Sequence, residues 1–205
     1  MSFKLLMIIS GFFWVVTYFL IIKRCFMDST YGVPLFALGL NISWEFIYSF
    51  ITPHGVPYVY TNIIALSLDT ILLYQALRFW RYEFPKLSER SFYLLFLLIM
   101  ISSFLTVYLT SYILNDPIGY YIAFWQNLLM SILFIRMLKF REDLRGQSIH
   151  IGVSKMLGTA FASIAFYLYD PLNKGSWIMN FTYLAIFIFD IIYIIMVYNK
   201  AKIKL

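Results

Sequence analysis

The sequence predicts an all-α polytopic membrane protein, a bundle of seven transmembrane helices, and three observations carry that expectation. Composition is the first. Of the 205 residues, 62% are hydrophobic, 21% aromatic and 13% charged, against roughly 45–50% apolar and about 25% charged in a soluble domain. So few charges cannot clothe a surface that faces water, and lipid must cover most of the outside. The second is length: seven apolar stretches reach the roughly 20 residues needed to cross a ~30 Å hydrocarbon core. The third is a lopsided distribution of lysine and arginine.

The stretches fall in order along the chain. The first, 5–22, stops at Lys23-Arg24; no small-residue cleavage pattern follows it, so it reads as a retained helix and not a signal peptide. The second, 33–51, lies between the turn pair Tyr31-Gly32 and the run Pro53, Gly55, Pro57. The third, 59–80, ends in the polar run 81–90, and the fourth, 91–114, ends at Asn115-Asp116-Pro117. The fifth, 118–138, gives way to the charged run 139–143; the sixth, 149–169, stops at Asp170-Pro171; the seventh, 176–198, precedes a lysine-rich tail. Internal repeats, low-complexity tracts and long linkers are missing from the sequence, which predicts a single domain over 1–205.

Charge sets the expected orientation. Loops one, three and five and the tail hold 13 of the 16 basic residues: Lys23, Arg24, Arg78, Arg81, Lys86, Arg90, Arg136, Lys139, Arg141, Arg145, Lys200, Lys202 and Lys204. The other side holds Lys4 and Lys174, and Lys155 lies inside a span. The positive-inside rule therefore places the C-terminus in the cytoplasm and the N-terminus outside. The net charge of +6 is a topology signal and predicts no nucleic-acid partner. A single cysteine, Cys25, excludes a disulfide framework and a cysteine zinc site, and His54 and His150 are too scattered for a metal cluster. Frequent Ile, Phe, Tyr and Lys with little Ala fit an AT-rich genome and a bacterial cell membrane, the endoplasmic reticulum being the eukaryotic equivalent.

Four ionisable residues interrupt otherwise apolar helices: Glu45, Asp69, Lys155 and Asp190. Each costs about 2.5–3.5 kcal/mol at a helix centre on insertion scales, and such residues are functional candidates by default. Their neighbours extend the pattern. Asn41, Trp44, Glu45 and Tyr48 share one face of the second helix; Asn180, Tyr183, Phe187, Asp190 and Tyr193 share one of the seventh; Lys155, Thr159 and Ser163 share one of the sixth. The fifth carries Phe124, Asn127 and Ser131 on a stripe, beside Trp125 and Gln126. Turned inward together, these faces enclose an aromatic pocket with a few placed polar groups, the usual character of a small-molecule site. A carboxyl among aromatic rings can keep a proton and donate it, and ring faces within about 6 Å stabilise a cation. The plainer reading stands beside this one. Asn41, Asn127, Thr159 and Ser163 also suit interhelical hydrogen bonding, Asp69 and Lys155 suit a structural ion pair, and Trp14, Trp80 and Trp177 suit the interfacial belt.

At Asn41-x-x-Trp44-Glu45-x-x-Tyr48 the sequence resembles the small seven-helix integral-membrane terpene cyclases of fungal and bacterial meroterpenoid and indole-terpenoid pathways. Leu68-Asp69, Trp125-Gln126-Asn127, Lys155-x-x-Gly158-Thr159 and Phe189-Asp190-x-x-Tyr193 agree in order and spacing, and the likeness spans nearly the whole chain. The chain is somewhat shorter than many fungal members, which fits a bacterial relative. The resemblance implies a cofactor-free, metal-independent cyclisation in which Glu45 and Asp190 protonate an epoxide or alkene. It implies an apolar isoprenoid substrate drawn from the lipid bilayer, with a prenyltransferase or an epoxidase as pathway partner. On this reading the substrate-binding candidates are Asn41, Trp44, Tyr48, Asp69, Trp125, Asn127, Lys155, Thr159 and Tyr193. An Asp-Asp-x-x-Asp segment for diphosphate and magnesium, an Asp-x-Asp-Asp acid motif and His-Glu-x-x-His are all missing from the sequence. A proton-coupled or small-molecule transporter is the competing expectation, because proton relays use the same buried acids. A retinal receptor fits less well: its lysine belongs in the last span, which has none before Lys200.

Overall fold

The structure is a computed structural model and describes residues 2–169 and 176–203. Asp170, Pro171, Lys174 and Lys204, which entered the reading of loops and charge, lie outside the described residues. Seven helices follow one another: α1 Phe3–Asp28, α2 Leu35–Phe46 with a π-helical turn Ile47–Ile51, α3 Tyr58–Glu83, α4 Glu89–Ile113, α5 Tyr120–Phe140, α6 Ile149–Tyr169 and α7 Trp177–Ile203. All seven expected helices are present, and six are long and apolar enough to cross a membrane. Large apolar side chains such as Phe12, Phe19, Leu98, Phe181 and Leu184 are exposed along them, as a lipid-facing surface requires.

The helix bounds shift by a few residues from the sequence expectation, and two of the differences bear on the fold. Helix α1 runs on through Lys23-Arg24 to Asp28 and ends only where Ser29 takes a left-handed φ of 51°. Lysine and arginine are good helix formers, so the basic pair marks a charge boundary and not the end of the helix. Helix α2 is shorter than a full crossing. With its π turn it covers Leu35–Ile51, about 25 Å at 1.5 Å per residue. Pro34 starts it, and in the π turn the Thr52 amide donates to the Ile47 carbonyl at 2.8 Å.

The chain divides into two compact units, one of Cys25–Gln126 and one of Met1–Arg24 with Asn127–Leu205. In the first, α2 packs on α3 and α4. A β-carbon added at Gly39 would lie 2.6 Å from Ser103 Oγ, so glycine is what lets α2 and α4 approach. Trp80 is buried and stacks on Phe92 with ring centroids 4.3 Å apart. That overturns its expected place in the interfacial belt: the end of α3 folds its indole onto the start of α4.

In the second unit α6 packs on α7 and on the first part of α1. Small residues make the contact. Ser10 Oγ donates to the Gly158 carbonyl at 2.7 Å and Ser154 Oγ to the Phe13 carbonyl at 2.8 Å. A β-carbon on Gly158 would sit 2.9 Å from Trp14 Cδ1. Trp14 therefore lies in mid-helix against α6, another correction to the belt expectation, whereas Trp177 is exposed at the first position of α7. Replacing Gly158 with valine drives a branched side chain into the indole. The expected loss is about 1–3 kcal/mol, read as a drop in melting temperature of the detergent-solubilised protein, with Gly11→Ala, which meets open space, as the control.

Candidate active site

All four ionisable residues expected at membrane depth are buried in protein: Glu45 is 6% exposed, Asp69 0%, Lys155 1% and Asp190 2%. None is turned toward lipid. An isolated charge in hydrocarbon is prohibitive, so each helix that carries one must bury that face.

In the α5–α6–α7 unit the site is built around one ammonium. Lys155 Nζ donates to Asp190 Oδ1 at 2.8 Å and Oδ2 at 3.1 Å, and to Ser131 Oγ at 2.8 Å. The acceptors come from α5 and α7 and match the three hydrogens of an ammonium group. Lys155 thus takes Asp190 as its carboxylate partner, where the sequence had suggested Asp69. Beside this pair Asn127 Nδ2 donates to Thr159 Oγ1 at 2.9 Å. Tyr193, one turn beyond Asp190, is buried edge-on against Phe134 at 5.5 Å and closes over Gly152. A mostly apolar groove of about 360 Å³ runs between α6 and α7, with Thr159, Ser163, Asn180, Tyr183, Phe187 and Asp190 among its walls. Of the polar stripes predicted on the sixth and seventh helices, Thr159 and Ser163 and Asn180, Tyr183, Phe187 and Asp190 line one cavity, and Lys155 and Tyr193 are not among its walls.

The α2 unit arranges the sequence motif differently. Glu45 and Tyr48 are buried, Asn41 and Trp44 half-buried, and Trp44 and Tyr48 lie with centroids 4.9 Å apart. Their polar ends reach the last turn of α4 and the loop before α5. Trp44 Nε1 donates to the Gly119 carbonyl at 3.0 Å, and the Tyr48 hydroxyl donates to Ser111 Oγ at 2.8 Å, with the Asp116 carbonyl 3.3 Å away. Gly119 has a φ of 62° and no room for a side chain, since a β-carbon would lie 2.3 Å from the Tyr48 ring. Asp69 is fully buried on α3, and Trp125 is half-buried beside Tyr121 at 6.4 Å.

Some participants escaped the sequence reading. Ser131 was visible only as a member of a stripe, and Asn62 not at all. His54, considered only as too scattered from His150 for a metal cluster, stacks on Tyr48 at 4.7 Å. Its Nε2–H donates to the Ile118 carbonyl at 3.2 Å while Nδ1 accepts from Asn62 Nδ2 at 3.0 Å. A neutral ring satisfies both bonds. The available signal was the pairing of His54 with the turn residues after the motif.

The comparisons with known proteins now decide the family. The chain matches the Pyr4-like transmembrane terpene cyclases over residues 1–202. It belongs to that family. The Pyr4-family terpene cyclase mfmH of Annulohypoxylon moriforme is 27% identical over 90% of this chain and 78% of its own length. Terpene cyclase penB of Penicillium crustosum is 32% identical over 82% and 72%, and asnovolin H synthase nvfL of Aspergillus novofumigatus 30% over 78% and 67%. No solved structure matches. The protein is thus a membrane-bound terpene cyclase, and the transporter alternative gains no support from these relatives.

For this terpene cyclase two outcomes follow from the geometry. Lys155→Met leaves the Asp190 carboxylate buried without its counter-charge and is expected to cost about 3–5 kcal/mol. Most of that loss should return in Lys155→Met/Asp190→Leu, as measured by thermal unfolding of each variant. The second concerns pH. Burial pushes the His54 imidazole below its usual range, against weaker opposition from its bond to Ile118 and from Asp116. The unfolded chain then binds more protons than the folded one below the ordinary imidazole pKa of about 6.5. The stability tied to neutral His54 is complete above that value and is lost as pH falls. Between about pH 7.5 and about pH 5.5 the melting temperature should fall further in the wild type than in His54→Gln.

Proposed function

We propose that this terpene cyclase closes a polyprenyl chain, free or attached to an aromatic or indole group, by protonating a terminal epoxide or alkene without a metal ion. In the epoxide case the Glu45 carboxyl gives its proton to the epoxide oxygen as the carbon–oxygen bond breaks. Neighbouring double bonds close onto the electron-poor carbon, and the last cation loses a proton to the Asp190 carboxylate. The product is a hydroxylated, ring-closed isomer. Asp190 returns its proton to solvent and Glu45 takes one up, which resets the enzyme.

The observation that carries this division of labour is the Lys155–Asp190 pair. Both Asp190 oxygens already accept from Lys155. To act as the initiating acid, Asp190 would have to surrender one of those bonds, whereas as a carboxylate it is ready to accept a proton. Glu45, buried next to Trp44 in the motif of α2, is then the donor. Trp44, Tyr48, Trp125 and Tyr193 are assigned to the cation path, where ring faces favour positive charge. Asn41, Asp69, Asn127 and Thr159 are assigned to substrate positioning. The meroterpenoid resemblance supports a prenylated aromatic substrate. A prenyltransferase fits as pathway partner where the chain is attached to a ring, and an epoxidase where the initiating group is an epoxide. The basic loops support a cytoplasmic C-terminus, in a bacterial cell membrane or in the endoplasmic reticulum.

The test is turnover by the purified protein in nanodiscs, with an epoxyprenyl phenol and excess chelator. The wild type should form a cyclic isomer of unchanged mass. Glu45→Gln should fold normally and lose about 100-fold or more in kcat, the usual weight of a general acid. Undiminished turnover in Glu45→Gln overturns its role, and dependence on added magnesium overturns the mechanism.

A further inference from the structure

The α6–α7 groove carries a polar side chain at each end, with Ser163, Tyr183 and otherwise mostly apolar side chains between them. Asp190, at the middle of α7, forms one end. Asn180, in the first turns of the same helix, forms the other. Ten residues of helix separate them, about 15 Å. The intervening walls include Ala160, Ile164, Leu184 and Phe187. The Oδ1 atoms of Asn127 and Asn180 are both buried without a hydrogen-bond partner among the described residues, and of the two Asn180 is the one among the walls of the groove. A buried acceptor left without such a partner is unusual in a folded structure.

We infer that Asn180 is a specificity-determining residue that accepts a hydrogen bond from the non-terpenoid head of the substrate, a ring bearing a hydroxyl or N–H, while the chain runs along the groove toward Asp190. This orientation rests on the cyclase reading above. Two physical arguments support it. The unmet group is an acceptor, so it selects a donor; a phenol hydroxyl or an indole N–H satisfies it, and an ether does not. Depth agrees as well. Asn180 lies near the end of α7 and Asp190 at its centre. An amphiphile in a bilayer rests with its polar head at the interface and its apolar chain inward. A prenylated ring sliding from lipid into the groove therefore keeps the orientation it already has. Tyr183, one turn from Asn180, and Phe187, one turn further, continue the wall along which the chain would lie.

The experiment is a binding measurement, so that it does not depend on turnover. A farnesylated phenol and its methyl ether are titrated into the full-length protein in nanodiscs, with intrinsic tryptophan fluorescence as the readout. The wild type should bind the phenol about tenfold tighter than the ether, the worth of one buried hydrogen bond. Asn180→Leu should bind both with the affinity the wild type has for the ether. Asn180→Asp, which keeps an acceptor at the same place, should retain the preference. Should the leucine variant fail to fold, Asn180→Ala serves in the same comparison. Equal affinities in the wild type, or a preference that survives in Asn180→Leu or Asn180→Ala, overturn the assignment. Phenol selectivity that depends on Asn180 in a protein that cyclises nothing would sink the catalytic reading and leave the head-group site standing.

Discussion

One buried ammonium organises the second unit of this protein. Lys155 on α6 holds a hydroxyl on α5 and a carboxylate on α7, and all three residues are buried in protein. Burying two charges is expensive unless their geometry and remaining hydrogen bonds are satisfied. Here they are, because the ammonium has as many acceptors as hydrogens. The register of three helices follows from that single group. Sliding one of them by a turn would strand a charge, so the walls of the groove beside the pair are fixed along with it.

Packing in both units relies on a second constraint. Between lipid-exposed helices the hydrophobic effect gives little drive, and close backbone approach must replace it. Gly39 against Ser103 does this in one unit, and Gly152 and Gly158 against Tyr193 and Trp14 do it in the other. The hydroxyls of Ser10 and Ser154 add hydrogen bonds to backbone carbonyls across the seam between α1 and α6. In the second unit Tyr193, which Gly152 accommodates, lies on the helix that carries Asp190.

Much of this was legible in the sequence, and the reasons are physical. Seven helices followed from apolar runs bounded by turn and charge signals. The buried acids stood out because charge is so costly inside a membrane that only an enclosed face tolerates it. The partner of Lys155 was not legible, because three carboxyls at similar depth satisfy the same local rule and only packing selects Asp190. The true end of α1 was hidden because lysine and arginine leave a membrane without leaving a helix. Trp14 and Trp80 were misplaced for a related reason: distance along the chain from a charged run does not say which face of a helix an indole occupies. The polar ends of Trp44 and Tyr48 also went unforeseen, since their partners lie more than sixty residues away, in the last turn of α4 and in the loop around Gly119.

The π turn at Ile47–Ile51 bears on how such a protein diversifies. A π turn is an α-helix that has absorbed one extra residue. Dropping that residue would return the segment to ordinary winding and swing everything after it by about 100°, while Glu45, one turn upstream, stayed where it is. Lineages can thus re-tailor the rim carrying His54 and its neighbours by a single-codon gain or loss, with the acid itself insulated from the change.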